Sequence, residues 1–412
     1  MKKEYSQLLT IVNGAIRQKQ PQIDSNIDWD QMQVLISYSG LSGVVLPVVG
    51  KLPEAFQPSK ELMDAWRQAT VGKLVRQARA QMELGRVFQN AKEQGIRLIS
   101  FKGILLAALY TNPLLRFSTD ADVYVDPAEK SRAETMFVQM GYTKLEECSK
   151  EHVPVYGIDC DGRYLKVELH DSLWEDYEGY QTELLDSLQL LDESSLIECS
   201  PCDIPIVTMG YENHLIFLVF HMAKHFAFEA IDLRFIIDIM LFIERYHEKV
   251  DWLHFWKLMG KLKYDKLLAS ILKICYEYFE FHIDILPKEF EKLQISDIFL
   301  EDILLRGTMR RVKNTEAYSF VGYIEAYFLR DRMHDSSKGI LKIFPERSEL
   351  KKKYAYAKKY PVLLPIAWGH RLFNTIHYSV ICHRKGYAVK QVVEKAKYRL
   401  DLLAELGLLE KE

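Results

Sequence analysis

Apolar spacing along the 412-residue chain changes twice, and this pattern constrains the fold more than any other feature. Up to about residue 95, apolar residues recur at three- and four-residue intervals. Both "WDQMQVLISYSGLSGVVLPVVGKL" and the long run from Lys60 to Gly95 show it, which predicts helices with Gly95 as a stop. From Arg97, short strand-type runs take over. "IRLISF" reads as a strand, "GILLAALYT" as a helix opened by Gly103, and "ADVYVD" as a strand. "PAEKSRAETMFVQMG" reads as a helix with Asp126 as cap, Pro127 in its first turn and Gly141 at its end. "YTKLEE", "HVPVYGID" and "RYLKVELH" follow as three strands, the last two joined by the turn "DCDGR". Beyond Pro205 the helical period returns and persists almost to Glu412. The expected fold is α+β: an N-terminal helical region at 1–95, a small mixed-sheet α/β core at 96–205 and a C-terminal helical domain at 206–412.

Composition excludes some classes of function. A formal net charge of -3, with 27% charged residues, gives no global attraction to nucleic acid or to an anionic membrane. The N-terminal "MKKEYSQLLTIVNGAIRQKQ" lacks the apolar run of a signal peptide, and "LIFLVFHMA" and "FIIDIMLFIE" are too short to span a bilayer. A cytoplasmic protein is expected, with neither membrane nor nucleic acid as partner. Six scattered cysteines suit reduced thiols. Cys199 and Cys202 form a lone Cys-x-x-Cys, for which zinc would need two further ligands.

Asp120 and Asp122 stand out in this background. Side chains two apart on a strand share a face, so the two carboxylates point together while Ala121, Val123 and Val125 point away. Paired ionised carboxylates in a half-buried strand are costly unless neutralised, and a divalent cation does this well. "YLKVELHD" offers a third carboxylate in Glu168, with His170 on the same face and Val167 and Leu169 on the other. Lys102 and Gly103 stand where a strand meets a helix, a place where backbone N–H groups and a lysine can approach a phosphate. Arg116 and Ser118 precede Asp120 by four and two residues, within reach of the same anion. Acid-x-acid pairs alone are weak evidence, since 57 acids in 412 residues give about eight by chance. Their context raises the weight.

"FKG" followed by "DAD" and then "VELH" resembles the polymerase-β-type nucleotidyltransferase pattern. The fuller string from Phe101 to Tyr142 resembles an uncharacterised bacterial nucleotidyltransferase family within that superfamily. Helical flanks such as "IDWDQMQVLISYSGLSGVVLPVV" and "HMAKHFAFEAIDLRFIIDI" are similar to the family's surroundings. The chain departs from many superfamily members in having Lys102-Gly103-Ile104 where they carry Gly-Ser or Gly-Gly, which shifts phosphate contacts to backbone amides, Lys102 and Ser118. The resemblance implies a two-metal reaction with Mg2+, or Mn2+ in its place, held by Asp120, Asp122 and Glu168. A hydroxyl oxygen attacks the α-phosphorus of an NTP, ATP by default, and expels pyrophosphate. Lys102 and Arg116 then offset charge on the outer phosphates, and His170 serves as a hydrogen-bond partner of Glu168 in preference to a base. The acceptor is a small molecule or a protein side chain.

His214, His221 and His225, spaced by seven and four, share a helix face. They suit packing, or lining of a substrate cleft in the case of His221 and His225 together with His170, and Asp238 would complete a metal set. Lys224 and Arg234 in the same stretch suit a phosphate or an acceptor. The segment 338–359 is the most basic, and a solvated amphipathic helix is favoured there over an RNA-binding surface. The competing reading of the whole chain is a non-catalytic nucleotide-binding or protein-interaction module on the same fold.

Overall fold

The computed structural model describes residues 2–23, 26–146, 153–160, 162–174, 185, 187–228, 231–295, 299–304, 354–370 and 401–408. The chain divides into two compact units, one of Met1–His225 with Ile231–Thr308 and one of Phe226–Ala230 with Met309–Glu412.

The first unit opens with helices α1 (Lys3–Arg17), α2 (Trp29–Tyr38), α3 (Ser42–Val49) and α4 (Lys60–Glu93). Local chemistry sets several of their ends. Asp28 accepts from Gln31 N at the start of α2, and Ser59 accepts from Leu62 N at the start of α4. Gly95, at φ +64°, turns the chain out of α4, as the sequence predicts.

A seven-stranded mixed sheet follows, in the order β3-β4-β5-β2-β1-β7-β6. Its strands are β1 (Leu98–Ser100), β2 (Asp120–Val125), β3 (Thr143–Lys144), β4 (Val155–Cys160), β5 (Arg163–His170), β6 (Leu196–Cys199) and β7 (Ile206–Met209). The β2·β5 and β1·β7 pairs are parallel and the other four are antiparallel. Between β1 and β2 lies the single-turn helix α5 (Ile104–Ala107), and after β2 comes α6 (Lys130–Gln139).

Three of these elements differ from the sequence expectation. α5 is shorter because Thr111, Asn112 and Pro113 are turn formers, and Asn112 accepts from Leu114 N to open a separate 3-10 turn. Asp126 accepts from Ala128 N at 2.8 Å and so caps a turn that precedes α6. β7 lies just past residue 205, in the region read as helical, and with β6 it extends the sheet by two strands. Four-residue apolar runs such as "IVTM" carry too few residues to separate a strand from the first turn of a helix.

One face of the sheet is the core. Val123, Val125, Val167 and Leu169 meet Leu84, Val87 and Phe88 of α4 and Ala133, Met136 and Phe137 of α6, all buried. Each such side chain contributes about 1.5–3 kcal/mol on burial. The alternation that sends these residues inward leaves Asp120, Asp122, Glu168 and His170 on the opposite face.

Among the described residues, the sheet is followed by helices α7 (Tyr211–Phe228), α8 (Leu233–Tyr246), α9 (Trp252–Lys261) and α10 (Asp265–Tyr278) and by a helical stretch at 299–304. Arg17 ties α1 to them, bonding Glu244 Oε1 at 2.6 Å and donating from Nε to Phe279 O at 2.8 Å. Among the described residues, no helix is long and apolar enough to cross a membrane.

In the second unit, Tyr354, Ala357 and Ala367 are buried together around the short helix Ala355–Lys359. Residues 338–353 of the basic segment, for which an amphipathic helix is expected, lie outside the described residues.

Candidate active site

In the parallel β2·β5 pairing, Asp120 stands opposite Lys166, Asp122 opposite Glu168 and Tyr124 opposite His170. Parallel neighbours in register project to the same side, so the register brings Asp122 and Glu168 together across the strands, with Asp120 one step before. Asp122 is buried, Asp120 and Glu168 are partly exposed, and the face opens at the N-terminal end of β2.

The electrostatics differ sharply between the two aspartates. Burial, with Asp122 and Glu168 close by, pushes the Asp120 carboxyl up to about 6. Thr119 Oγ1 donates to its Oδ2 at 3.2 Å, and Ser118 Oγ donates to its backbone oxygen at 2.9 Å. Burial also disfavours charge on Asp122, but Lys102 and His170 outweigh it and hold that carboxyl well below the usual range. The contacts are direct: Lys102 Nζ lies 2.7 Å and His170 Nε2 3.3 Å from Asp122 Oδ1. His170 Nε2 is also 3.6 Å from Glu168 Oε2. Burial lowers the His170 pKa, and its two acidic partners more than compensate, so it is raised overall.

Lys102 leads from this cluster to α7. Its ammonium lies 3.1 Å from His221 Nε2, and His225 Nε2 lies 3.1 Å from the same atom. An ammonium has donors only, so His221 Nε2 accepts and His225 supplies an N–H. Burial, with Lys102 and His225 adding to it, drives the His221 pKa well down and keeps the ring neutral. Phe235 stacks on that ring, centroids 5.7 Å apart. About two helical turns before it, His214 is buried with its Nε2 3.1 Å from Phe101 O.

The other residues singled out in the sequence have different surroundings. Arg116 is 5% exposed, and its guanidinium forks onto Asp238, Nε to Oδ1 at 2.8 Å and Nη2 to Oδ2 at 2.6 Å. Tyr110 donates to Asp238 Oδ1 at 2.8 Å. The same guanidinium reaches Gly103 O at 3.4 Å, and Gly103 adopts φ +46°, where an L side chain is strained. Asp238 therefore serves Arg116 and Tyr110 and does not join the histidines. Ser118 gives its hydroxyl to Asp120 O and its N–H to Gln77 Oε1. Arg234 donates to Phe117 O at 2.7 Å. Cys199 and Cys202 are partly buried, and burial pushes both thiols up, more in keeping with packing than with thiolate chemistry. Among the described residues, the group of three that could hold a metal ion is Asp122, Glu168 and His170, whose ligand atoms lie within 4.8 Å of one another.

The donor set fits a hard divalent cation. It has carboxylate oxygens on two adjacent strands, and burial, with Asp122 and Glu168 adding to it, disfavours a bare charge on Asp120.

Comparison with known proteins bears on what such a site does. A sequence family described as uncharacterised nucleotidyltransferase matches residues 25–280. No curated protein matches the chain. A solved structure of an antigenic nucleotidyltransferase-like protein from Paracoccidioides brasiliensis is 14% identical over 49% of this chain and 96% of its own. Its TM-score of 0.31 is too low for anything further to rest on it.

Proposed function

Because the chain belongs to that uncharacterised nucleotidyltransferase family, we propose that it transfers an NMP group from an NTP, ATP by default, to a hydroxyl of a small molecule or protein. The observation that carries this reading is the in-register pairing of Asp122 with Glu168, with Asp120 two residues before on the same face. These three residues would hold Mg2+, as the pair of ions that the polymerase-β-type resemblance implies, or Mn2+ in its place. When bound, such a cation offsets triphosphate charge and lowers the pKa of a hydroxyl.

The chain's own residues supply the remaining functions. Lys102, released from Asp122, meets the phosphates, with backbone N–H groups around Gly103 beside it. Arg116 and Ser118 act on phosphate through structure: Arg116 braces the Gly103 turn from Asp238, and Ser118 fixes the start of β2. His221 and His225 line the acceptor side and keep Lys102 within reach. The core face of β2 and β5 holds the three carboxylates in register.

A second reading is favoured by the Lys102–Asp122 pair. A lysine that already neutralises the central carboxylate also suits a nucleotide-binding or protein-interaction module without turnover. Calorimetric titration of each NTP, with and without Mg2+, into the wild type and an Asp120→Asn/Asp122→Asn variant tests both. Cation-dependent binding that the double variant loses supports transfer and directs a search for the acceptor. Binding that ignores the cation and survives the double substitution supports the module.

A further inference from the structure

His170 borders both carboxylates, and its position is that of a ligand. It is two residues beyond Glu168 on the same strand face and is 7% exposed. Phe101, itself buried, meets the imidazole edge-on with centroids 5.2 Å apart and restrains the ring. A single atom, Nε2, faces both carboxylates, at 3.3 Å from Asp122 Oδ1 and 3.6 Å from Glu168 Oε2.

Those separations are slightly wider than those of a coordination sphere. Adjacent corners of an octahedron with bonds near 2.1 Å are roughly 3 Å apart, and opposite corners roughly 4 Å. The three ligand atoms all lie within 4.8 Å of one another, so a small contraction of three side chains would put them on one ion.

We infer that His170 binds a cation through Nε2, making Asp122, Glu168 and His170 a mixed nitrogen–oxygen site that selects Mn2+ over Mg2+. The inference rests on the reading of the carboxylates as a cation site and adds the identity of the donor and of the metal. Imidazole suits transition metals, whereas Mg2+ prefers oxygen and gives up water reluctantly. Asp120 is the oxygen-only end of the cluster. The alternative is an Nε2–H that only hydrogen-bonds Asp122, which would leave an all-oxygen site.

Pulsed electron paramagnetic resonance on the full chain with Mn2+ alone decides between them. The expected result is a histidine nitrogen coupling on bound Mn2+ that changes when the protein carries 15N-histidine. His170→Asn should abolish the coupling and weaken Mn2+ binding by about tenfold or more, with little effect on Mg2+. Should the variant fail to fold, the isotope comparison on the wild type still settles the donor type. Mn2+ that binds in a carboxylate-dependent way without histidine coupling, or coupling that survives in folded His170→Asn, overturns the inference and leaves the carboxylate reading standing. No Mn2+ binding by the wild type overturns both.

Discussion

Lys102 holds its ammonium 2.7 Å from Asp122 Oδ1 while leaning on His221 Nε2 at 3.1 Å, so one lysine joins the carboxylate cluster to α7. A cation at Asp122 competes with that lysine. Lys102→Met should therefore tighten Mn2+ binding by about tenfold while weakening NTP binding. The variant should also lose about 3 kcal/mol of stability without metal, because a buried carboxylate loses its ammonium, and regain part of it on adding Mn2+. Calorimetry and urea denaturation, each with and without Mn2+, check the three signs.

Asp120 sets a pH limit. Its folded pKa of about 6 lies above the unfolded value near 3.9, so the fold disfavours its ionised form. Cation binding needs the ionised form and should weaken progressively as pH falls through about 6. Stability shows the opposite sign: the penalty is present above pH 6 and absent below about pH 4. Asp120→Asn should then stabilise the metal-free protein by about 1–2 kcal/mol at pH 8, allowing for partial exposure, and have little effect at pH 4. Denaturation midpoints at the two pH values measure this.

His214 gives an acid-sensitive contribution of the other kind. Burial pushes its pKa down to about 4, against an unfolded value near 6.5. The neutral ring's stability is complete above pH 6.5 and is lost as pH falls toward 4, about 3 kcal/mol in all. His214→Gln should reduce stability at pH 7.5 and flatten the acid limb between pH 6.5 and 4 relative to wild type, as read from denaturation at several pH values.

The Arg116–Asp238 pair separates bracing from phosphate contact. Removing either partner strands a buried charge, so Arg116→Ala or Asp238→Ala should destabilise by about 3–5 kcal/mol. Arg116→Lys keeps the charge but loses the fork, and should lower the melting temperature more than it changes NTP affinity. A large affinity loss with an unchanged melting temperature would make Arg116 a direct phosphate ligand instead.

What the sequence disclosed and what it hid follow from the range of each interaction. Period-two alternation put Asp120, Asp122, Glu168 and His170 on one face and Val123, Val125, Val167 and Leu169 on the other, because the side a strand residue takes is decided within a few residues. Arg116 and Asp238 are 122 positions apart, and Lys102 and His221 are 119 apart. No local pattern signals such partners, so Arg116 read as a phosphate ligand and Asp238 as a carboxylate that could join the histidines in a metal set. The two late strands escaped for a different reason: β6 and β7 have only four residues each, too few for their period to show. The Lys-Gly turn was visible as a boundary, but the brevity of α5 was set by the Thr-Asn-Pro punctuation after it.

The parallel register of β2 and β5 ties assembly of the acidic cluster to the success of packing. A slip of one residue in β5 would carry Glu168 and His170 into the oily side and push Val167 and Leu169 out to water. The greasy layer under α4 and α6 thus acts as a proofreader for alignment: a chain that satisfies its interior has, by that event, set its acids side by side. Conservative changes deep in that layer, far from any substrate, are then expected to surface as altered metal affinity before they surface as unfolding.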